Sequence, residues 1–192
     1  MIDDRPYHHG NLRAALLEAA ERGLRERGAD QLALRDLARE IGVSHAAPRR
    51  HFPTRQALLD ALAEDGFTRL HTALREAAGS DDTVTRLRAV MTAYIRFACD
   101  NAALVELMYG SKHQPGATRI DQAADGAFGL MKDLVVRGQA EGVLRGDDPD
   151  RLGLVLLATL HGIALIGTSP VGDADLVDGL VDTALEQFVP RV

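Results

Sequence analysis

Arg49, Arg50 and Arg55, together with His45 and His51, stand in residues 43–55 without a single carboxylate. That is a local positive footprint, and the chemistry it suits is contact with a polyanion, which needs concentrated positive charge rather than a basic protein. The chain as a whole is acidic, with a formal net charge of −6. The imbalance is uneven: residues 1–75 carry 12 arginines against 11 acids, whereas 76–192 carry 10 basic residues against 17 acids. The acidic part would be repelled from a polyanion, which leaves 43–55 to face it. Other residues capable of chemistry are sparse. His8 and His9 are adjacent and His45 and His51 are six apart, neither being the i, i+4 pairing of a helical metal site, so no metal is expected. Cys99 is the only cysteine, which excludes an intrachain disulfide and a cysteine-based zinc site; beside Tyr94 and Phe97 it reads as a small core residue. There is no Gly-rich phosphate loop, nucleophile motif or spaced carboxylate dyad, so neither an enzyme nor a cofactor is expected.

Helical periodicity runs through the whole chain and must position that footprint. In residues 11–28, Leu12, Ala15, Leu16, Ala19, Ala20, Gly23 and Leu24 form one stripe, with Asn11 as N-cap and Gly28 as left-handed stop. Leu34, Leu37, Ala38 and Ile41 repeat the pattern before Gly42. Thr54 caps a long helix to about residue 78, with Leu58, Leu59, Leu62, Phe67, Leu70 and Leu74 inward. Residues 79–82, Gly-Ser-Asp-Asp, make the clearest break. Five more helices come after it: 83–100, a short one to Met108 capped by Asn101, 118 to about 141, 150–166 opened by Asp148-Pro149, and about 173–188. Residues 110–116 read as a loop. Nothing alternates with period two, so the fold class is all-α. No apolar run is expected to reach the roughly 18 to 20 residues that span a bilayer, and the first residues lack signal-peptide character. The expected location is cytoplasmic.

The informative stretch is 34–52. A helix with a buried stripe stops at Gly42, which takes positive φ at little cost. Val43 can plug the core, and Ser44 can cap a second helix. Two short helices joined by a glycine turn make a helix-turn-helix, whose second helix enters the DNA major groove. Ala46 and Ala47 permit close approach to thymine methyls, while Ser44 and His45 occupy the end that meets bases or phosphate. Arg49 and Arg50 project on different faces. Phe52 fits the core beneath, Arg55 is placed to hold a phosphate, and Pro48 is tolerable in a first turn. The expected DNA-contacting set is Arg35, Ser44, His45, Ala46, Ala47, Arg49, Arg50, His51 and Arg55.

These residues carry a family resemblance. Residues 12–59 resemble the N-terminal domain of the tetracycline-repressor-like (TetR) regulators, through Arg27-Gly28, Leu37-Ala38, Ile41-Gly42-Val43-Ser44, His51-Phe52, and Arg55 before Leu58-Leu59. Residues 7–13, Tyr-His-His-Gly-Asn-Leu-Arg, are similar to the opening of one subgroup, echoed by Ile95-Arg96-Phe97-Ala98 and Leu160-His161-Gly162. The family usually has tyrosine at Arg49, lysine at Arg55 and a hydroxyl residue at Ala33; the subgroup has tryptophan at Leu160.

The resemblance implies a DNA-binding domain over 8–56, a connecting helix over about 55–78, and a ligand-binding and dimerisation domain over 80–192. Met91, Tyr94, Phe97, Met108, Phe128, Met131 and His161 are the expected ligand-binding residues. Composition leaves a filled core and an apolar pocket equally open; the resemblance implies the pocket. It also implies a homodimer through the helices at about 150–167 and 173–189, reading a pseudo-palindromic operator of double-stranded DNA, and a small-molecule effector that relieves repression. A helical ligand-binding module without DNA binding and a small helical enzyme using His161 or Cys99 stand as alternatives.

Overall fold

The computed structural model describes residues 12–79, 82–112, 117–146, 148–170 and 172–190. Residues 7–11 of the 7–13 motif, with His8, His9 and Asn11, and part of the 79–82 break lie outside them. Eight α-helices and no strand occur among the described residues: α1 (Leu12–Arg27), α2 (Leu34–Glu40), α3 (Arg55–Ala77), α4 (Thr83–Asp100), α5 (Ala102–Ser111), α6 (Thr118–Ala140), α7 (Pro149–Gly167) and α8 (Ala174–Phe188). The all-α expectation therefore holds.

The ends of the helices obey local chemistry. Thr54 Oγ1 accepts from the Ala57 N–H at 3.0 Å, Asp148 from the Asp150 and Arg151 N–H groups, and Asp173 from that of Leu176. Each satisfies donors that have no partner inside their own helix. Gly28 closes α1 at φ 79°. Ala33, lacking a hydroxyl, leaves α2 without a side-chain cap. Asn101 does stand before α5, but its side chain makes no cap bond there. Helix α5 runs on to Ser111, so the expected loop is shorter than 110–116.

Helix α3 is the axis of the molecule. It is buried on two sides, by Leu58, Leu62 and Leu70 and by Leu59, Ala63, Phe67 and Leu74. It packs on α1 at its start and on α4, α5 and most extensively α6 along its length. The Phe67 ring is fully buried and meets the Tyr109 and Phe128 rings edge-on, at centroid distances of 6.0 and 5.9 Å. Because those rings belong to α5 and α6, Phe67→Ala opens a cavity shared by three helices. A loss of about 3–5 kcal/mol in unfolding free energy is expected by urea titration.

Helices α7 and α8 pack against each other and against α4. The expectation that no apolar stretch could span a bilayer is corrected here. Pro149–Gly167 is 19 residues with mean hydropathy 1.5, long and apolar enough by length and composition, and only 22% of it is buried. Its inward face carries Leu156, Leu160, Ile163 and Ala164. Its outward face is also apolar: Leu154 is 68% exposed, Val155 51%, Leu165 74% and Ile166 38%. Thr159 and His161 interrupt the apolar run, yet the mean over the helix stays high.

Candidate nucleic-acid interface and effector cavity

The turn after α2 is built by hydrogen bonds. Gly42, at φ 74°, donates to the Arg39 carbonyl at 3.3 Å, and Val43 donates to that of Ala38 at 2.9 Å. This pair of bonds is the Schellman arrangement, which needs a left-handed residue that only glycine adopts at low cost. The chain is thereby reversed so that residues 44–51 lie across α2.

From Ser44 onward the structure departs from the expected helix. Residues 45–47 form a turn, and Pro48–Arg50 a single 3-10 turn. Ser44 contributes its carbonyl, which accepts from the Ala47 N–H at 3.0 Å, and its side chain caps nothing in that turn. The cause is Pro48. An α-helix opening at residue 45 would require the residue-48 N–H to bond the Ser44 carbonyl, and proline has none. Pro48 is instead buried, and its carbonyl accepts from His51 and Phe52. Phe52 sits in the core beneath, with the Arg13 guanidinium over its ring at 5.5 Å.

Seven of the nine expected DNA-contacting residues are exposed: Arg35, Ser44, His45, Ala46, Arg49, Arg50 and His51; Ala47 is half-buried. Elsewhere in this region arginines are paired with acids: Arg22 with Glu40, Arg25 with Glu21, Arg27 with Glu26, and Arg39 with Asp36. Among the described residues, Arg35, Arg49 and Arg50 form no ion pair. Three unpaired guanidinium groups are thus exposed on α2 and on the turn that follows it. Arg55 differs. Its Nε–H donates to the Leu32 carbonyl at 3.0 Å and its terminal N–H to that of Ala29, so it staples the start of α3 to the segment joining α1 and α2. Its stem holds the turn region together while two of its donors are occupied.

In the C-terminal part the expected ligand residues separate into two groups. Met91, Met108 and Met131 are core residues. Phe97 lies under the Arg69 guanidinium, and Phe128 packs on Phe67 and Tyr109 beneath Lys112, whose ammonium is 4.5 Å from its ring centroid. Tyr94 and His161 alone of that set line a cavity of about 630 Å³ between α4, α5 and α7. Tyr109, absent from the expected set, joins them. The Tyr94 hydroxyl is 2.6 Å from His161 Nδ1 and 3.0 Å from the Tyr109 hydroxyl, and the Tyr109 ring stands edge-on to the imidazole at 4.3 Å. Ala98, Ala102, Ala103 and Ala164 leave a space bordered by the Tyr109 and His161 rings, with Tyr94 itself buried.

Burial pushes the Tyr94 hydroxyl far above the ordinary tyrosine range and Tyr109 up to about 12, so both stay protonated donors. The same burial holds the His161 imidazole below its ordinary value, against the weaker opposing pull of the Leu157 carbonyl. A histidine whose folded-state value is depressed binds protons less readily than the same residue in the unfolded chain. Stability therefore falls as pH drops below about 6.5, where the unfolded histidine begins to charge. The midpoint of urea unfolding is expected to decline from about pH 7.5 to about pH 5.5, and to decline less in His161→Gln.

Residues 87–187, more than half the chain, match the family described as "Tetracyclin repressor-like, C-terminal domain", and residues 16–62 match "Bacterial regulatory proteins, tetR family". The chain belongs to the TetR family. It is accordingly one of the bacterial regulatory proteins of that description. A solved structure of a protein of unknown function from Rhodococcus sp. RHA1 is 45% identical, with a TM-score of 0.86 over 96% of this chain and 97% of that one. The TetR regulator PfmR of Thermus thermophilus shares the fold at 23% identity, with a TM-score of 0.73 over 92% and 99% of the two chains. Nucleoid occlusion factor SlmA of Vibrio vulnificus (strain YJ016) is 34% identical over 101 residues, 50% of this chain and 47% of that one. The chain spans about half the length of the SlmA relatives it matches. In this TetR-family protein the matched N-terminal region carries the unpaired arginines, and the matched C-terminal region carries the cavity.

Proposed function

We propose that this TetR-family protein is an effector-responsive repressor that reads a pseudo-palindromic operator as a homodimer. Residues 8–56 form the DNA-binding head, about 55–78 the connecting helix, and 80–192 the effector and dimerisation domain. The observation that carries the reading is the exposed surface of residues 44–51, where Arg49 and Arg50 stand with Arg35 of α2 and no carboxylate neutralises them. Uncompensated guanidinium groups beside a helix-turn-helix corner are suited to phosphates, and Ser44, His45 and Ala46 offer small and polar groups to base edges. A DNA partner in turn supports a cytoplasmic location. The His161-Gly162 pair supports membership of the subgroup with a Trp-His-Gly-type C-terminal domain, although Leu160 replaces its tryptophan.

The outward face of α7 supports the dimer. Leu154, Val155, Ala158, Gly162, Leu165 and Ile166 are exposed and fall at spacings of three and four, the seam of a helix that pairs with a helix. Leu176 extends the seam onto α8 at 42% exposure. The opposite face of α7 is packed on the protein core, so its apolar surface is a one-sided stripe, which suits a second copy better than surrounding lipid.

A polar clasp supports coupling between cavity and head. Arg69 of α3 donates to Glu21 of α1 at 2.9 Å and to Asn101 at 3.0 Å. Asn101 lies at the corner between α4 and α5, beside the cavity residues Ala98, Ala102 and Ala103. A molecule that fits the cavity better in one position of that corner shifts the population of head positions by its differential affinity.

Fluorescence anisotropy with DNA from upstream of the protein's own gene, against a random duplex of equal length, tests the reading. A two-fold-symmetric protected site and affinity that falls steeply with salt are the expected results. Equal affinity for both duplexes at all salt concentrations rejects it.

A further inference from the structure

We propose that the cavity beside His161 takes an apolar organic cation, with Glu106 at its rim facing the positive charge. The inference rests on the reading of this cavity as the effector site; its wall residues Gly162 and Leu165 also belong to the exposed α7 face proposed above to meet a second copy, so the cavity opens toward that copy. The first observation is the make-up of the wall: Tyr94, Ala98, Ala102, Ala103, Val105, Glu106, Tyr109, His161, Gly162, Ala164, Leu165 and Thr168 include no lysine or arginine. Glu106 is the one acidic side chain among them, and it lies on α5 on the same face as Ala102 and Tyr109. The space is open on the side of Ala102, Glu106, Gly162 and Leu165, which are exposed; an anionic ligand would gain no positive charge from the wall and would meet the Glu106 carboxyl group.

The second observation is the arrangement of the rings. Tyr94, Tyr109 and His161 gather within centroid distances of 4.3 to 5.6 Å. Tyr94 is only 1% exposed, so the half-buried Tyr109 and His161 rings are the ones whose surface borders the space, and neither phenol nor imidazole brings a competing charge. Ring faces attract a poorly hydrated cation most strongly where water is excluded. The nearby ammonium of Lys112 is held over Phe128 and is not part of the wall. The acid excess of residues 76–192 adds a long-range field of the same sign as Glu106. An uncharged ligand of equal shape would gain the apolar contacts but nothing from Glu106 or the rings' quadrupole.

The test compares three probes on the full chain: benzyltrimethylammonium, its uncharged carbon isostere neopentylbenzene, and 3-phenylpropionate. Tyrosine fluorescence and thermal shift read binding, and anisotropy of bound operator reads release. The cation is expected to bind at least about tenfold tighter than the isostere, a ratio within the range of cation–ring attraction plus one rim charge. The carboxylate is expected not to bind. In Glu106→Gln, whose side chain is exposed and whose fold is expected to be intact, the cation's advantage should shrink severalfold. Equal or tighter binding by the isostere or the carboxylate overturns the cation assignment while leaving the cavity as an effector site. A cation advantage unchanged in Glu106→Gln overturns the role given to Glu106. Failure of all three probes to bind overturns both the assignment and the effector reading.

Discussion

Replacing Arg35, Arg49 and Arg50 together by alanine is expected to lower operator affinity by at least about a hundredfold at moderate salt. Each guanidinium that meets a phosphate or a base edge contributes about 1–3 kcal/mol, and three such losses exceed the roughly 2.7 kcal/mol that a hundredfold represents. The plot of log affinity against log salt should flatten by up to about 5.4, since the homodimer loses up to six phosphate contacts and each removes about 0.9 from the slope. Stability should hardly change. The three side chains are exposed and form no ion pair among the described residues, and surface substitutions of that kind usually stay within about 0.5 kcal/mol. Arg55 serves as the contrast. Because it donates to the Leu32 and Ala29 carbonyls, Arg55→Ala should lower the melting temperature, and its effect on DNA should follow from a loosened head. A triple variant with wild-type affinity and an unaltered slope would remove this surface from the DNA interface.

The second large effect is expected at α7. Leu154→Asp with Leu165→Asp places two carboxylates where two copies of the helix are proposed to meet. Sedimentation should show a monomer at concentrations where the unmodified chain is a dimer. Operator affinity should fall by several orders of magnitude, because binding the second half-site is no longer intramolecular and loses its effective concentration. The fold of each subunit should survive, since both side chains point away from the core and are 68% and 74% exposed. A variant that remains dimeric would place the interface elsewhere. One that becomes monomeric yet binds operator unchanged would show that a single head suffices.

Local signals in the chain were enough to place the α-helices but not every end, since α5 runs past Met108 to Ser111 and Asn101 makes no cap bond. Thr54, Asp148 and Asp173 cap where their side chains reach the next turn's N–H groups, an interaction within three residues. Gly42 stops α2 by the same kind of short-range rule, and the charge of residues 43–55 is a property of composition alone. The segment after Gly42 was harder to read. Helical spacing and Ser44 favoured an α-helix, while one missing N–H at Pro48 decided for a turn and a 3-10 turn.

By itself, then, the sequence determined an all-α chain of capped helices, a glycine-reversed corner and an uncompensated basic surface, since each arises from neighbours a few residues apart. Only the tertiary structure decided which large side chains fill space and which surround it. Met91, Met108 and Met131 share helical stripes with residues like Tyr94, and periodicity assigns a face without saying whether the opposing helix closes upon it. The approach of α4, α5 and α7 leaves Tyr94, Tyr109 and His161 around an opening and buries the methionines. The same holds for Arg55 and Arg69, whose partners lie 23 to 48 residues away. Long side chains can reach many such groups, and only the packing of the helices selects among them.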